Sequence, residues 1–171
     1  MRRVTVLVSL VVVVLAGALA YGRVAPGIVA QEATPAAGAV AAELLGHGLP
    51  TAAPGFDLSL YRVTLGPGGV VPPHTHPGAS VVYVESGTLG ITSLEGEARL
   101  IRAEAAATPD AQGEMLAHGT EVTLTAGDAL FYPGEHGDSA RNAGDGPVVL
   151  VLANLHTAGE PLLTLMATPA P

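Results

Sequence analysis

The residues of this chain best suited to chemistry are two histidines one position apart, in Pro72-Pro73-His74-Thr75-His76-Pro77-Gly78. Side chains of extended backbone alternate between faces, so His74 and His76 share a face and their imidazoles converge. A convergent imidazole pair is what a strand can offer a divalent metal. Prolines lack the N–H that a sheet ladder needs, which puts Pro72 and Pro73 at the edge or entrance of a strand. A second punctuated run, Gly127-Asp128-Ala129-Leu130-Phe131-Tyr132-Pro133, leads on to His136, Asp138 and Asn142. Alternation sets Arg141 on the face opposite Asp138 and Asn142, as a support of the sheet exterior.

Both runs resemble the paired motifs of the cupin family, G-x5-H-x-H-x3-E-x6-G and G-x5-P-x-G-x2-H-x3-N. Gly68, His74, His76 and Gly87 fall on the first motif, and Gly127, Pro133 and Asn142 on the second. The resemblance spans roughly residues 56–157. Ser80 stands where the first motif has its glutamate, and Asp138 where the second has its histidine. Glu135 holds the middle glycine position, with Gly134 one step early. The resemblance implies an all-β jelly-roll barrel, a cupin-type double-stranded β-helix, as in small single-domain bacterial cupins with altered metal motifs. It implies a site inside the barrel, with His74 and His76 as the first two ligands of a divalent metal such as Fe, Mn, Zn or Ni. It also implies a homodimer, for which the apolar stretches 56–65 and 148–155 could supply a partner face.

The third ligand decides whether a metal is held, because two histidines alone hold one loosely. Asp138 is a competent oxygen ligand and would complete the two-His-one-carboxylate set of non-haem iron sites. The other reading of Asp138 is a turn cap. His136 shares its parity and could substitute for it. A neutral serine ligates poorly, so Ser80 is better suited to holding a water. Glu85 lies an odd number of residues from Ser80 and reads as a surface carboxylate. His47, His118 and His156 read as loop, turn and strand-end residues that serve structure or face solvent. Beside the metal reading stand two others: a metal-free barrel that holds a small ligand, and an interaction module tethered to the cell surface. No catalytic residue, reaction or substrate is specified. There is no G-x-S-x-G, and Gly66-Pro67-Gly68-Gly69 lacks the Lys and Ser/Thr of a phosphate loop.

The elements that must position these residues are short strands. Strands are expected over 56–65, 80–85, 88–94, 121–125, 129–132, 139–142, 148–155 and 162–166, and a hairpin turn at Glu95-Gly96 leads into another at 97–103. Residues 56–65 carry apolar side chains on both faces, which predicts little solvent exposure. Residues 104–113 form an inserted loop. With 22 glycines, 14 prolines and no helical period past the N-terminal region, the pattern argues for a sandwich or barrel independently of the resemblance. A net charge of −8 and the absence of lysine exclude nucleic acid as a partner. The absence of cysteine excludes disulfides and lipid attachment at cysteine.

The N-terminal region reads as an address. Met1-Arg2-Arg3 precedes an apolar run over 4–20 that closes on Ala18-Leu19-Ala20, the pattern of a secretory signal peptide. The alternative is an uncleaved membrane anchor through residues 4–20. Residues 21–42 read as a flexible Gly/Ala/Pro tether, 43–166 as one barrel domain with an N-terminal arm from Glu43, and 167–171 as a tail. The expected location is outside the cytoplasm, secreted or associated with the cell envelope. Mass spectrometry of protein recovered there is expected to find a chain starting after Ala20 or Ala30, whereas intact Met1 on membrane-bound protein would show an anchor.

Overall fold

A computed structural model describes residues 36–105 and 113–167. The expected signal or anchor, the tether up to residue 35, most of the 104–113 loop and the tail beyond 167 lie outside the described residues. Those described form twelve strands and no helix: β1 (Val40–Gly48), β2 (Phe56–Leu65), β3 (Val70–His76), β4 (Gly78–Ser86), β5 (Thr88–Glu95), β6 (Arg99–Ile101), β7 (Glu114–Met115), β8 (Glu121–Thr125), β9 (Ala129–Tyr132), β10 (His136–Asn142), β11 (Val148–Thr157) and β12 (Thr164–Leu165). They build a seven-stranded sheet in the order β1-β2-β11-β4-β9-β6-β7 and a five-stranded sheet in the order β12-β3-β10-β5-β8.

From β2 onward nearly every connection carries the chain to the other sheet, so β2, β4, β6, β9 and β11 lie in one and β3, β5, β8, β10 and β12 in the other. This alternation is a jelly-roll winding, and it closes the two sheets around one core. It also corrects the reading of Glu95-Gly96: the turn is no hairpin, because β5 and β6 belong to different sheets. Gly96 adopts φ 75° there, and a Cβ would strike the Glu135 carbonyl oxygen at 2.4 Å. Only glycine lets the corner pass so close to the start of β10.

Strand alternation fills the interior. Val82 and Val84 of β4, Leu89 and Ile91 of β5, and Leu150 and Leu152 of β11 all point inward into the buried core. Asn142 clasps the base of the barrel. Its Nδ2 donates to the carbonyls of Leu65 (3.0 Å), Gly66 (3.0 Å) and Gly146 (2.8 Å), and its Oδ1 accepts from the Gly144 N–H at 2.9 Å. The motif asparagine is thus a structural tie between three segments. Arg141 faces outward, as alternation requires, and makes a bidentate pair with Glu121 at 2.8 and 2.6 Å. Glu85 is likewise external and lies 3.6 Å from Arg62.

Several boundaries differ from expectation. β1 starts at Val40, inside the expected tether, because Val40 to Leu44 pair in register with Leu65 to Tyr61. β10 starts at His136 rather than 139, since 136–138 pair with β3. β12 is confined to Thr164–Leu165. β7 has two residues, too few to show an alternation. β2 is more exposed than expected: Phe56, Leu58 and Leu60 are 40%, 49% and 39% accessible. Its outer face is flanked by β1 but covered by nothing among the described residues.

Asn142→Ala would leave three carbonyls without their shared donor. Each buried polar group left unpaired costs about 1–3 kcal/mol, so a loss of roughly 2–4 kcal/mol in urea unfolding is expected after partial rescue by water. Arg141→Ala should leave the unfolding midpoint near wild type.

Candidate metal centre

The site rests on a register. In the antiparallel pairing of β3 with β10, His136 lies opposite His76 and Asp138 opposite His74. All four side chains point inward and are at most 7% exposed. Beyond them the pairing shifts, so that Ala140 meets Val71. Pro72 and Pro73 fall at this bulge, where a missing N–H breaks no ladder bond. Across the barrel, Gly78 starts β4 in close contact with β11. A Cβ there would lie 2.2 Å from the Leu155 carbonyl oxygen, so the approach requires glycine.

Backbone carbonyls set the tautomers of all three histidines. His74 Nδ1 lies 2.8 Å from the Pro72 oxygen, His76 Nδ1 2.7 Å from the Leu162 oxygen, and His136 Nδ1 3.2 Å from the Gly134 oxygen. A carbonyl only accepts, so each Nδ1 carries the proton and donates it. Each Nε2 of a neutral ring is then a bare lone pair, directed into the barrel. The Nε2 atoms of His74 and His76 face each other at 3.0 Å. Two lone pairs at that distance repel unless something positive lies between them.

His74, His76 and Asp138 each bring a ligand atom to within 4.8 Å of the others. The Asp138 carboxylate is 3.6 Å from His74 Nε2 and 3.7 Å from His136 Nε2. These residues fit a divalent cation: two nitrogens, each about 2.1 Å from an ion and at right angles, would be roughly 3.0 Å apart. A proton shared by the two rings, with Asp138 as counter-charge, is the other way to relieve the repulsion. Burial, with His136 and His74 adding to it, works against charge on His76 and holds its pKa down to about 3. Burial also holds His136 at about 4. It pushes the Asp138 carboxyl up, against the pull of His74 and the Tyr132 hydroxyl.

The other expected residues divide. Asp138 caps no turn and lies within β10, directed at the histidines. His136 stands beside the set rather than in it. Its ring stacks on Tyr132, with centroids 3.5 Å apart and planes 6° apart, and on His76 at 4.8 Å and 20°. Its Nε2 is buried and unpartnered. Ser80 points inward, but its hydroxyl donates to Asn154 Oδ1 at 2.8 Å, so that proton is not offered to a water at the histidines. His47 lies in exposed β1 beside Asp57 at 3.3 Å, rather than in a loop. His118 is exposed at the Gly96 carbonyl, and His156 is buried at the end of β11.

Two participants escaped the sequence reading. Tyr132 supplies the stacked ring, and its hydroxyl lies beside Asp138 without a partner at hydrogen-bond distance. Its parity with Leu130, just before Pro133, was the available signal. The second is the Leu162 carbonyl, and backbone acceptors leave no mark on a sequence. Residues 162–166 form a strap along β3: Thr164 pairs with Thr75, Leu165 with His74, and the Met166 N–H donates to the Pro73 oxygen at 2.9 Å.

Two spaces adjoin the site. Outside, Thr75, Pro77, Glu95, Glu135 and the edges of His76 and His136 line an open cleft of about 440 Å³. Inside, a cavity of about 120 Å³ runs from His74, His76, Tyr132 and Asp138 into the aliphatic core, with Leu162 and Leu163 of the strap in its wall.

The sequence profile of the family described as Cupin matches residues 49–161. Auxin-binding proteins ABP19b and ABP19a of Prunus persica are 64% and 61% identical to this chain, but over 36 residues, 20% of this chain and 17% of theirs. A Klebsiella pneumoniae protein with a double-stranded β-helix domain shares the fold with a TM-score of 0.51 at 18% identity, over 79% of this chain and 90% of its own. A Bacillus subtilis oxalate decarboxylase with Mn(II) centres aligns with a TM-score of 0.45 at 20% identity, over 64% of this chain and 24% of its own. The chain thus spans about a sixth of the curated relatives and about a quarter of the decarboxylase. With the profile matching most of the barrel, and the glycine, proline and histidine landmarks placed as the fold requires, the chain belongs to the cupin family.

Proposed function

We propose that this cupin holds a divalent metal through His74, His76 and Asp138, and that a small molecule reaches the ion from the barrel cavity. The single observation that supports this is the pair of Nε2 lone pairs facing each other at 3.0 Å while both Nδ1 atoms are committed to carbonyls. A bound ion would act as a Lewis acid toward an oxygen donor and keep positions open for it. The chain's own contribution is orientation. Pro72 and Leu162 fix the rings, Asp138 would supply the charge, and the aliphatic wall forms the inner approach to them. The 20% identical Mn(II) decarboxylase suggests manganese as one ion to test, without assigning its reaction to this chain.

Calorimetric titration with Mn, Fe, Zn and Ni tests the reading. Wild type is expected to bind, and His76→Ala or Asp138→Ala to lose more than the roughly 10–100-fold that removing a supporting residue costs. The double change Ser80→Glu with Asp138→His, which restores the family's usual set, is expected to bind more tightly. If wild type binds none of the four ions while the double variant does, the shared proton and a metal-free pocket take over.

Acid sensitivity follows from the same rings. A histidine of ordinary pKa would begin to surrender its metal at about 6.5. Here the folded protein resists protonation of His76 until about 3 and of His136 until about 4. The unfolded chain binds those protons from about 6.5 downward. Below that pH the unfolded state therefore holds more protons, and metal-free stability falls as pH falls, by up to about 1.4 kcal/mol per pH unit for each histidine. Asp138, raised by burial, acts in the opposite sense above the ordinary carboxylate range. Melting curves in chelator from pH 7 to 4 are expected to show the loss, with added metal reducing it.

The reading extends to assembly and place. The outer face of the seven-stranded sheet exposes Leu58, Leu60, Val81 and Tyr83, and a second copy covering it would make a two-fold dimer. Light scattering is expected to give twice the chain mass at micromolar concentration, and a monomer mass throughout would remove this part. Export through the N-terminal apolar run completes the proposal.

A further inference from the structure

The inner cavity is built with one polar end. Along β3 the wall changes from Val71 to His74 and His76, and along β10 from Ala140 to Asp138. Tyr132 joins the polar end, and all the remaining lining is aliphatic, including Val63, Leu65, Leu89, Ile91 and Leu150. An occupant must therefore place an oxygen or nitrogen at the histidines and an apolar body among the leucines and valines. Burying a second polar group in that body would leave it without a partner.

Charge narrows the class further. The chain has no lysine. No described arginine lines the cavity; each lies near an external or turn carboxylate instead. Arg62 is 3.8 Å from Glu43, Arg102 is 3.0 Å from Asp128, Arg141 is 2.6 Å from Glu121, and Arg99 bonds Glu97. As a ligand to a divalent ion, Asp138 would contribute one negative charge beside the histidines. A divalent ion there would leave one positive charge in excess, enough for one anionic head. A dianion long enough to fill the cavity would bury its second carboxylate among the aliphatic residues, away from the Tyr132 hydroxyl and with no cation to meet it.

Volume sets the size. A leucine-lined cavity of roughly 150 Å³ accepts benzene, and this one measures about 120 Å³. We infer that the site takes a small neutral or monoanionic molecule with a single oxygen head and a compact aliphatic body of about four or five carbons, and that it rejects dicarboxylates. This rests on the metal reading for the head and on the cavity alone for the body.

The experiment uses the full chain loaded with Ni or Mn, titrated by calorimetry with acetate, butyrate, isovalerate, octanoate and succinate. Affinity is expected to rise about fourfold per added methylene from acetate to isovalerate, and to gain nothing further with octanoate. Succinate should bind at least tenfold more weakly than butyrate. Ala140→Leu, which fills the cavity wall away from the ligands, should weaken isovalerate at least tenfold while leaving metal affinity unchanged. Succinate matching butyrate, or affinity still climbing to octanoate, would overturn the assignment. If the protein binds no metal, that reading fails separately. The aliphatic part is then decided by isobutanol and octanol on metal-free protein, followed through methyl resonances of Val82 and Leu150. Selective perturbation by isobutanol supports the cavity's size, and its absence overturns it.

Discussion

Everything at the polar end of this barrel depends on the antiparallel register of β3 against β10. Two residues in one strand meet two in the next, each pair directly opposed, so four titratable side chains enter one small volume. A slip of one residue would turn all of one strand's contributions outward. The register is held from outside the site: Asn142 ties β10 to the β2–β3 corner, and the bulge at Pro72 and Pro73 absorbs the mismatch between the pairing near the site and the pairing beyond it.

The same barrel is aliphatic at its other end. Leu65, Leu89, Leu124 and Val148 are fully buried there, while atoms without partners are carried by buried Ser93, which pairs with Asp138, and by Ser59 and Asn154, which pair with each other in the strand register that runs through Ser80 to Tyr132. Native interiors leave few such groups unpaired. Their accumulation around one end contrasts with the saturated clasp at Asn142. Stability and polarity are thus divided along the barrel axis: the aliphatic end and the asparagine tie hold the sheets together, and the polar end can carry unfavourable proximities.

Much of the fold was legible because glycine and proline punctuate strands whose inward residues alternate; β2 and β9 have the limits expected of them. That His74, His76 and Asp138 face one volume could be anticipated from the even parity of their strands and from the cupin motif separations, although the turn-cap reading of Asp138 stood beside it. What escaped had no local signal. Glu95-Gly96 looks like a hairpin, yet sheet membership is decided by distant partners. The commitment of Ser80 to Asn154 joins residues 74 positions apart. The depressed pKa of His76 comes from burial and from rings brought near it by folding, neither of which a local pattern of residues reveals.

The three histidines take their orientation from Pro72, Leu162 and Gly134 through main-chain oxygens. Every residue carries such an oxygen, whatever its side chain. The instructions that aim these rings are therefore written in the path of the chain rather than in the identity of the neighbouring residues. A substitution at any of the three positions that preserves that path would leave the aim intact, while the inward-facing positions around the rings can be exchanged one at a time. Such a frame separates the geometry of a site from its chemical content, and so lets a lineage sample new ligand sets without first rebuilding the scaffold that points them.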